Sequence, residues 1–94
     1  MEITFDLNKS KTNKSKHGFS LAEANNLDWD NMVIFEDDRV DYGESRYVGI
    51  TYGLAYLGDR LFSVCFTESN DFASCRIISL RLATKQEMKK YAEA

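Results

Sequence analysis

The segment from Arg46 to Ala83 constrains the fold more than any other part of the chain. It holds three runs rich in β-branched and aromatic residues, "RYVGITYG" (46–53), "DRLFSVCFT" (59–67) and "ASCRIISLRLA" (73–83). Such residues fit a pleated, half-buried surface, and runs of this length separated by polar breaks read as strands. "ESND" supplies turn residues between the last two, so these strands are expected to form an antiparallel hairpin. A sheet of this kind must bury at least one face, and the rest of the chain has to cover it.

The covering elements lie towards the ends. "DLNKSKTNKSKH" (6–17) has few apolar positions, so as a helix it depends on tertiary contacts. Asp6 suits its N-cap and Gly18 its C-terminal end, while Lys9, Asn13 and Lys16 fall on one helical face. "SLAE" (20–23) reads as a capping box, predicting a helix through about Asn26 that buries Leu21, Ala24 and Leu27. "TKQE" (84–87) is a second capping box, and Met88 and Tyr91 of the helix it opens are spaced to pack on the sheet. "EITF" (2–5) and "MVIF" (32–35) add short strands, and "EDDRVDYGES" (36–45) reads as an acidic loop. The order β-α-α-β-β-β-β-α predicts an α+β fold: an antiparallel β-sheet with an N-terminal helical pair and a C-terminal helix. Residues 1–94 are expected to form a single domain.

Composition narrows the class. With 44% hydrophobic and 29% charged residues the chain has the balance of a globular protein, and no apolar run approaches the roughly 18 residues of a membrane span. Its start lacks the basic-then-apolar order of a signal peptide, which predicts a cytoplasmic protein without membrane contact. The net charge of −3 is unevenly spread. Residues 1–17 set four lysines against Glu2 and Asp6, residues 18–45 set Arg39 against eight carboxylates, and residues 46–94 set seven basic residues against five acidic ones. Basic ends that meet across a sheet would make a local cationic groove despite the acidic total. Cys65 and Cys75 flank the hairpin turn, so a disulfide is geometrically conceivable. In a reducing compartment they read instead as two half-buried thiols. With one histidine and no CxxC or HxxxH spacing, no metal or other cofactor is expected.

Alternation along 73–83 puts Arg76, Ile78, Leu80 and Leu82 on one face and Cys75, Ile77, Ser79 and Arg81 on the other. The first set is more apolar and is the expected core face; the second carries Ser79 and Arg81 where a ligand can reach them. The chemistry these residues suggest is metal-free phosphodiester cleavage. A base takes the ribose 2′-hydroxyl proton, cationic donors stabilise the phosphorane, and an acid protonates the leaving oxygen. His17 or Glu44 can move the proton; Lys16, Arg46, Arg76 and Arg81 can supply the cations. Simpler roles compete. Lys16 and His17 at a helix C-terminus oppose the macrodipole, and Glu44 with Arg46 makes an ordinary surface ion pair. The aromatics Trp29, Tyr47, Tyr52, Phe62 and Phe66 can stack bases but more often pack a core. No phosphate-binding glycine loop or nucleophile elbow is present.

The motifs at both ends resemble those of BrnT-family toxins. Phe5, Asp6, Lys9, Asn13, Lys16, His17 and Gly18 fill the opening pattern, and Glu44 and Arg46 match a Glu-x-Arg segment before a strand. Phe66, Thr67, Arg76, Ile77, Ile78, Ser79, Arg81, Ala83, Thr84, Glu87 and Tyr91 fill the closing signature. This resemblance implies a RelE-like fold and an RNA-binding, RNA-cutting toxin of a type II toxin–antitoxin pair that blocks translation. It implies a BrnA-like ribbon-helix-helix antitoxin that neutralises the toxin and carries it to operator DNA. The motif positions coincide with the site reached from chemistry, Lys16, His17, Glu44, Arg46, Ser79 and Arg81. On this reading Arg46 and Arg81 hold phosphate and transition-state charge with help from Lys16, and Ser79 orients by a hydrogen bond. Leu82 stands where the family often has a second basic residue. That departure motivates the alternative of a non-catalytic toxin relative that binds an antitoxin and tunes operator binding. A stand-alone nucleic-acid-binding domain is the third possibility.

Overall fold

The fold is built round the three long β runs, as a computed structural model describing residues 1–37 and 43–94 shows. In chain order the elements are β1 (Glu2–Thr4), α1 (Leu7–His17), β2 (Val33–Asp37), β3 (Arg46–Tyr52), β4 (Leu61–Ser69), β5 (Ser74–Leu82) and α2 (Lys85–Glu93). Short 3₁₀ turns occupy Leu21–Asn26, Trp29–Asn31 and Ala55–Leu57. The five strands lie in the order β1-β5-β4-β3-β2. β2 to β5 pair antiparallel, but β1 runs parallel to β5, so the sheet is mixed and not purely antiparallel. No hairpin ties β1 to β5, so nothing local enforces the antiparallel direction there.

The second N-terminal helix also differs from expectation. Leu21–Asn26 is 3₁₀, and the Ser20 side chain makes no capping bond. Glu23 N–H donates to the Ser20 carbonyl instead, and the Glu23 carboxylate accepts from the Tyr56 hydroxyl. Leu21, Ala24 and Leu27 are nevertheless buried as the spacing requires. The Thr84–Glu87 capping box forms in full. The acidic loop expected at 36–45 falls partly outside the described residues, and Glu36 and Asp37 belong to β2. β4 extends through Ser69, which moves the hairpin turn to Asn70, Asp71 and Phe72, all with positive φ.

The larger core lies on one face of the sheet, where Phe62, Val64, Phe66, Cys75, Ile77 and Leu80 pack against Leu21, Ala24, Leu27 and Leu57. The smaller one lies under α2, with Ile50, Leu61 and Ala83 against Phe35 and Tyr91. Cys75 and Ile77 therefore face the main core while Arg76 is exposed on the other side, which reverses the predicted face assignment for the half of β5 before Ile78; beyond it Leu80 faces the core as expected. The cause is a β-bulge. Cys65 pairs with Ser79 and Phe66 with Ile77, so Ile78 is an extra residue and alternation changes parity across it. Cys65 and Cys75 consequently lie on opposite faces and form no disulfide, Cys75 being fully buried. Burial, with the nearby Glu68 charge, pushes the Cys75 thiol pKa up.

α1 is held by polar bonds. Its buried residues are Ser10 and Asn13. Ser10 Oγ accepts from Leu21 N–H at 2.9 Å. Asn13 Nδ2 donates to the Leu80 and Phe19 carbonyls at 2.8 and 2.7 Å, and its Oδ1 accepts from Leu80 N–H at 3.1 Å. The Asn13 amide thus serves the edge of β5 as a strand partner would, beyond the point where β1 stops. Asp6 and Gly18 (φ 86°) cap the helix as their positions suggest.

Candidate active site

The bulge gathers the arginines. Arg76 and Arg81 are five residues apart, a spacing that strict alternation sends to opposite faces. With Ile78 extra, both lie on the α2 side of the sheet. Register fixes the neighbours: Thr67 pairs with Arg76, Cys65 with Ser79, and Ser63 with Arg81. Across β3, Val48 pairs with Cys65 and Asp37 with Arg46, so Arg46 occupies this face too. Ser79 sits between the two β5 arginines.

Two carboxylates organise these cations. Glu44, just before β3, receives Arg76 Nη2 at 2.9 and 3.1 Å and lies 3.8 Å from Arg46 Nε. Arg76 Nε also reaches Thr67 Oγ1 at 3.5 Å. Arg76 is 48% exposed, so this end of the face is open to solvent, while Arg46 lies across the strand from the buried Asp37. Further along the face, Arg81 grips Glu87 through Nη1–Oε1 at 2.7 Å and Nη2–Oε2 at 3.2 Å. Ser63 Oγ donates to the same carboxylate at 2.9 Å, and Thr84 N–H does so at 2.9 Å. Burial works to raise the Glu87 pKa, but the Arg81, Thr84 and Ser63 hydrogen bonds and the Arg81 charge outweigh it and hold the carboxyl at about 2. A groove of about 440 Å³ runs between α2 and the sheet, lined by Phe35, Asp37, Val48, Arg81, Glu87 and Lys90 among others. Lys90 Nζ lies 4.4 Å from the Phe35 ring centre there.

Of the residues singled out from sequence, Glu44 and Arg46 meet directly, and Ser79 and Arg81 share their face. Lys16 and His17 stand apart at the exposed end of α1. They line a second groove of about 290 Å³ whose far wall is Ile78 and Ser79. Among the described residues His17 makes no hydrogen bond or ion pair, and with Lys14 and Lys16 it faces the negative end of the α1 dipole. Sequence reasoning put Arg76 on the wrong face and missed Glu87 as an anchor. The Thr84-x-x-Glu87 box marked Glu87 as a capping residue, but nothing local announced that Arg81 would reach it. Among the described residues no group of three His, Cys, Asp or Glu side chains is placed to hold a metal ion.

The family model for the ribonuclease toxin, BrnT, of type II toxin–antitoxin systems matches residues 5–87. The chain belongs to this family. It is thus a toxin of the ribonuclease type, and a type II system implies a protein antitoxin and an RNA target. The match begins at Phe5, before the α1 cap, and ends at Glu87, the residue that anchors Arg81. No curated protein matches the chain. Among the described residues no helix is long and apolar enough to cross a membrane.

Proposed function

We propose that this BrnT-family chain, with a RelE-like fold, cleaves RNA in the cytoplasm without a metal ion and so inhibits translation. A BrnA-like ribbon-helix-helix antitoxin neutralises it and links the pair to operator DNA. The observation that carries this reading is the row of Arg46, Arg76 and Arg81 on one open sheet face with Ser79 among them. In the reaction a ribose 2′-oxygen forms a bond to phosphorus while the bond to the 5′-oxygen breaks, leaving a cyclic phosphate and a 5′-hydroxyl. The arginines supply the planar, permanently charged donors that a phosphorane requires. Glu44, held against Arg76 on that face, favours the role of base for the 2′-hydroxyl proton over the distant His17. The departing 5′-oxygen takes a proton from water. Ser79 contributes an orienting hydrogen bond.

Incubation of the purified protein with a labelled RNA in excess EDTA tests this. Fragments ending in cyclic phosphate are expected, and induction without antitoxin should arrest growth. Intact RNA at high concentrations of folded protein would overturn the reading.

One observation favours the second reading, a non-catalytic antitoxin-binding module: Arg76 and Arg81 already pair with Glu44 and Glu87. That reading expects tight co-purification with an antitoxin and no cleavage by the free chain.

A further inference from the structure

We propose that the groove between α1 and the edge of β5 binds the phosphodiester backbone of single-stranded RNA flanking the scissile phosphate. Lys9, Lys16 and His17 are its contacts, and Ser79 is the crossing point to the arginine face. The inference rests on the ribonuclease reading above and moves Lys16 and His17 from the reaction centre to a separate subsite.

Three observations carry it. First, α1 has four lysines and His17, and among the described residues no carboxylate pairs with any of these lysine side chains. In a chain of net charge −3 most cations elsewhere find partners, as Arg46, Arg76 and Arg81 do. Three of these groups, Lys9, Lys16 and His17, line the groove and focus positive potential there. Second, the strip is rigidly placed. The three Asn13 bonds to Leu80 and Phe19 fix α1 against β5, so the groove needs no ordering when a strand enters. Third, its lining suits a nucleotide better than a bare ion. Lys9 and Lys16 stand two helical turns apart, roughly 10 Å along the axis, with Thr12 between them and half-buried Ile78 as an apolar floor for a ribose or base. Ser79 lines this groove and also pairs with Cys65 in the arginine row, so a strand held on one surface can continue onto the other.

The test compares the protein with a Lys9→Gln/Lys16→Gln variant on a dinucleotide and on a ten-nucleotide RNA. Both lysines are exposed, and circular dichroism with a thermal melt confirms the fold. The ratio of kcat/KM for the long over the short substrate is expected to fall about tenfold. The slope of log affinity against log salt for the long RNA should shrink by about 1.4, two single-strand phosphate contacts. Lys11→Gln/Lys14→Gln removes equal charge from outside this groove and should change both quantities far less. Equal effects of the two variants would overturn the proposal, as would an unchanged slope. Loss of dinucleotide cleavage in step with the decamer would place the groove in the reaction centre. Weakened antitoxin binding with an intact RNA slope would make it a protein surface. If the unsubstituted protein cleaves nothing, the ribonuclease reading fails while the salt slope still decides the subsite.

Discussion

Arg81 and Glu87 form a two-point ion pair that ties β5 to the first turn of α2. The same carboxylate closes the capping box with Thr84 and accepts from Ser63, so one side chain joins β4, β5 and α2. An arginine fixed this way presents its remaining edge in one orientation, which is what preorganised charge stabilisation requires.

Acid should expose this arrangement. The Glu87 pKa is about 2 in the folded protein against an ordinary value near ~4.3. A depressed carboxyl contributes stability above its unfolded pKa and loses it as pH falls through the folded one, here from about 5 towards 2. The full shift corresponds to ~3 kcal/mol, but Arg81 is a third exposed and screening reduces this to about 1–2 kcal/mol. Urea midpoints at pH 7 and pH 3 should converge in Glu87→Gln relative to the unsubstituted protein. An equal pH dependence in both would remove Glu87 from the account.

Asn13→Ala should lower stability by about 2–3 kcal/mol, three side-chain bonds of roughly 1 kcal/mol each with a buried Leu80 amide left unpaired. Hydrogen exchange at Leu80 should accelerate by a comparable free energy. Asn13→Asp should be at least as damaging, because a carboxylate would face the Phe19 and Leu80 carbonyls.

How much of this was legible in the sequence follows from how local each signal is. The three strands, the Asp6 cap and the Thr84–Glu87 box depend on neighbouring residues and appear where the pattern places them. The Ile78 bulge is a mismatch between two strands, invisible in either alone, and it decided which arginines share a face. The parallel β1 and the Glu23–Tyr56 bond that accompanies the 3₁₀ turn depend on partners 33 or more residues away. Among the site residues, Glu44 with Arg46 was readable from adjacency, whereas the separation of His17 from Arg81 required the packing of α1.

Gly53→Ala should be far more disruptive than Gly49→Ala, although both glycines are buried. A Cβ on Gly53 would meet the Leu57 backbone carbonyl at 2.4 Å, which cannot retreat without moving the 3₁₀ turn. On Gly49 the obstacle is the Met32 thioether at 2.2 Å, the end of a flexible side chain. Losses of roughly 2–3 kcal/mol and about 1 kcal/mol respectively are expected from overpacking, read from denaturant midpoints.

Arg76 gives the sharpest test of the arginine face, because its placement there rests on the bulge. If it holds transition-state charge, Arg76→Gln should lower RNA-cleavage kcat/KM by about 10²-fold with the melting temperature little changed. Its ion pair with Glu44 offers a competing explanation, since a glutamate stripped of its partner would repel the substrate phosphate. The double variant Arg76→Gln/Glu44→Gln separates the two. Recovery towards the original rate would mean that Arg76 only neutralises Glu44. A double variant slower than the single one shows that Glu44 is itself needed for the rate, as the proton-transfer role requires.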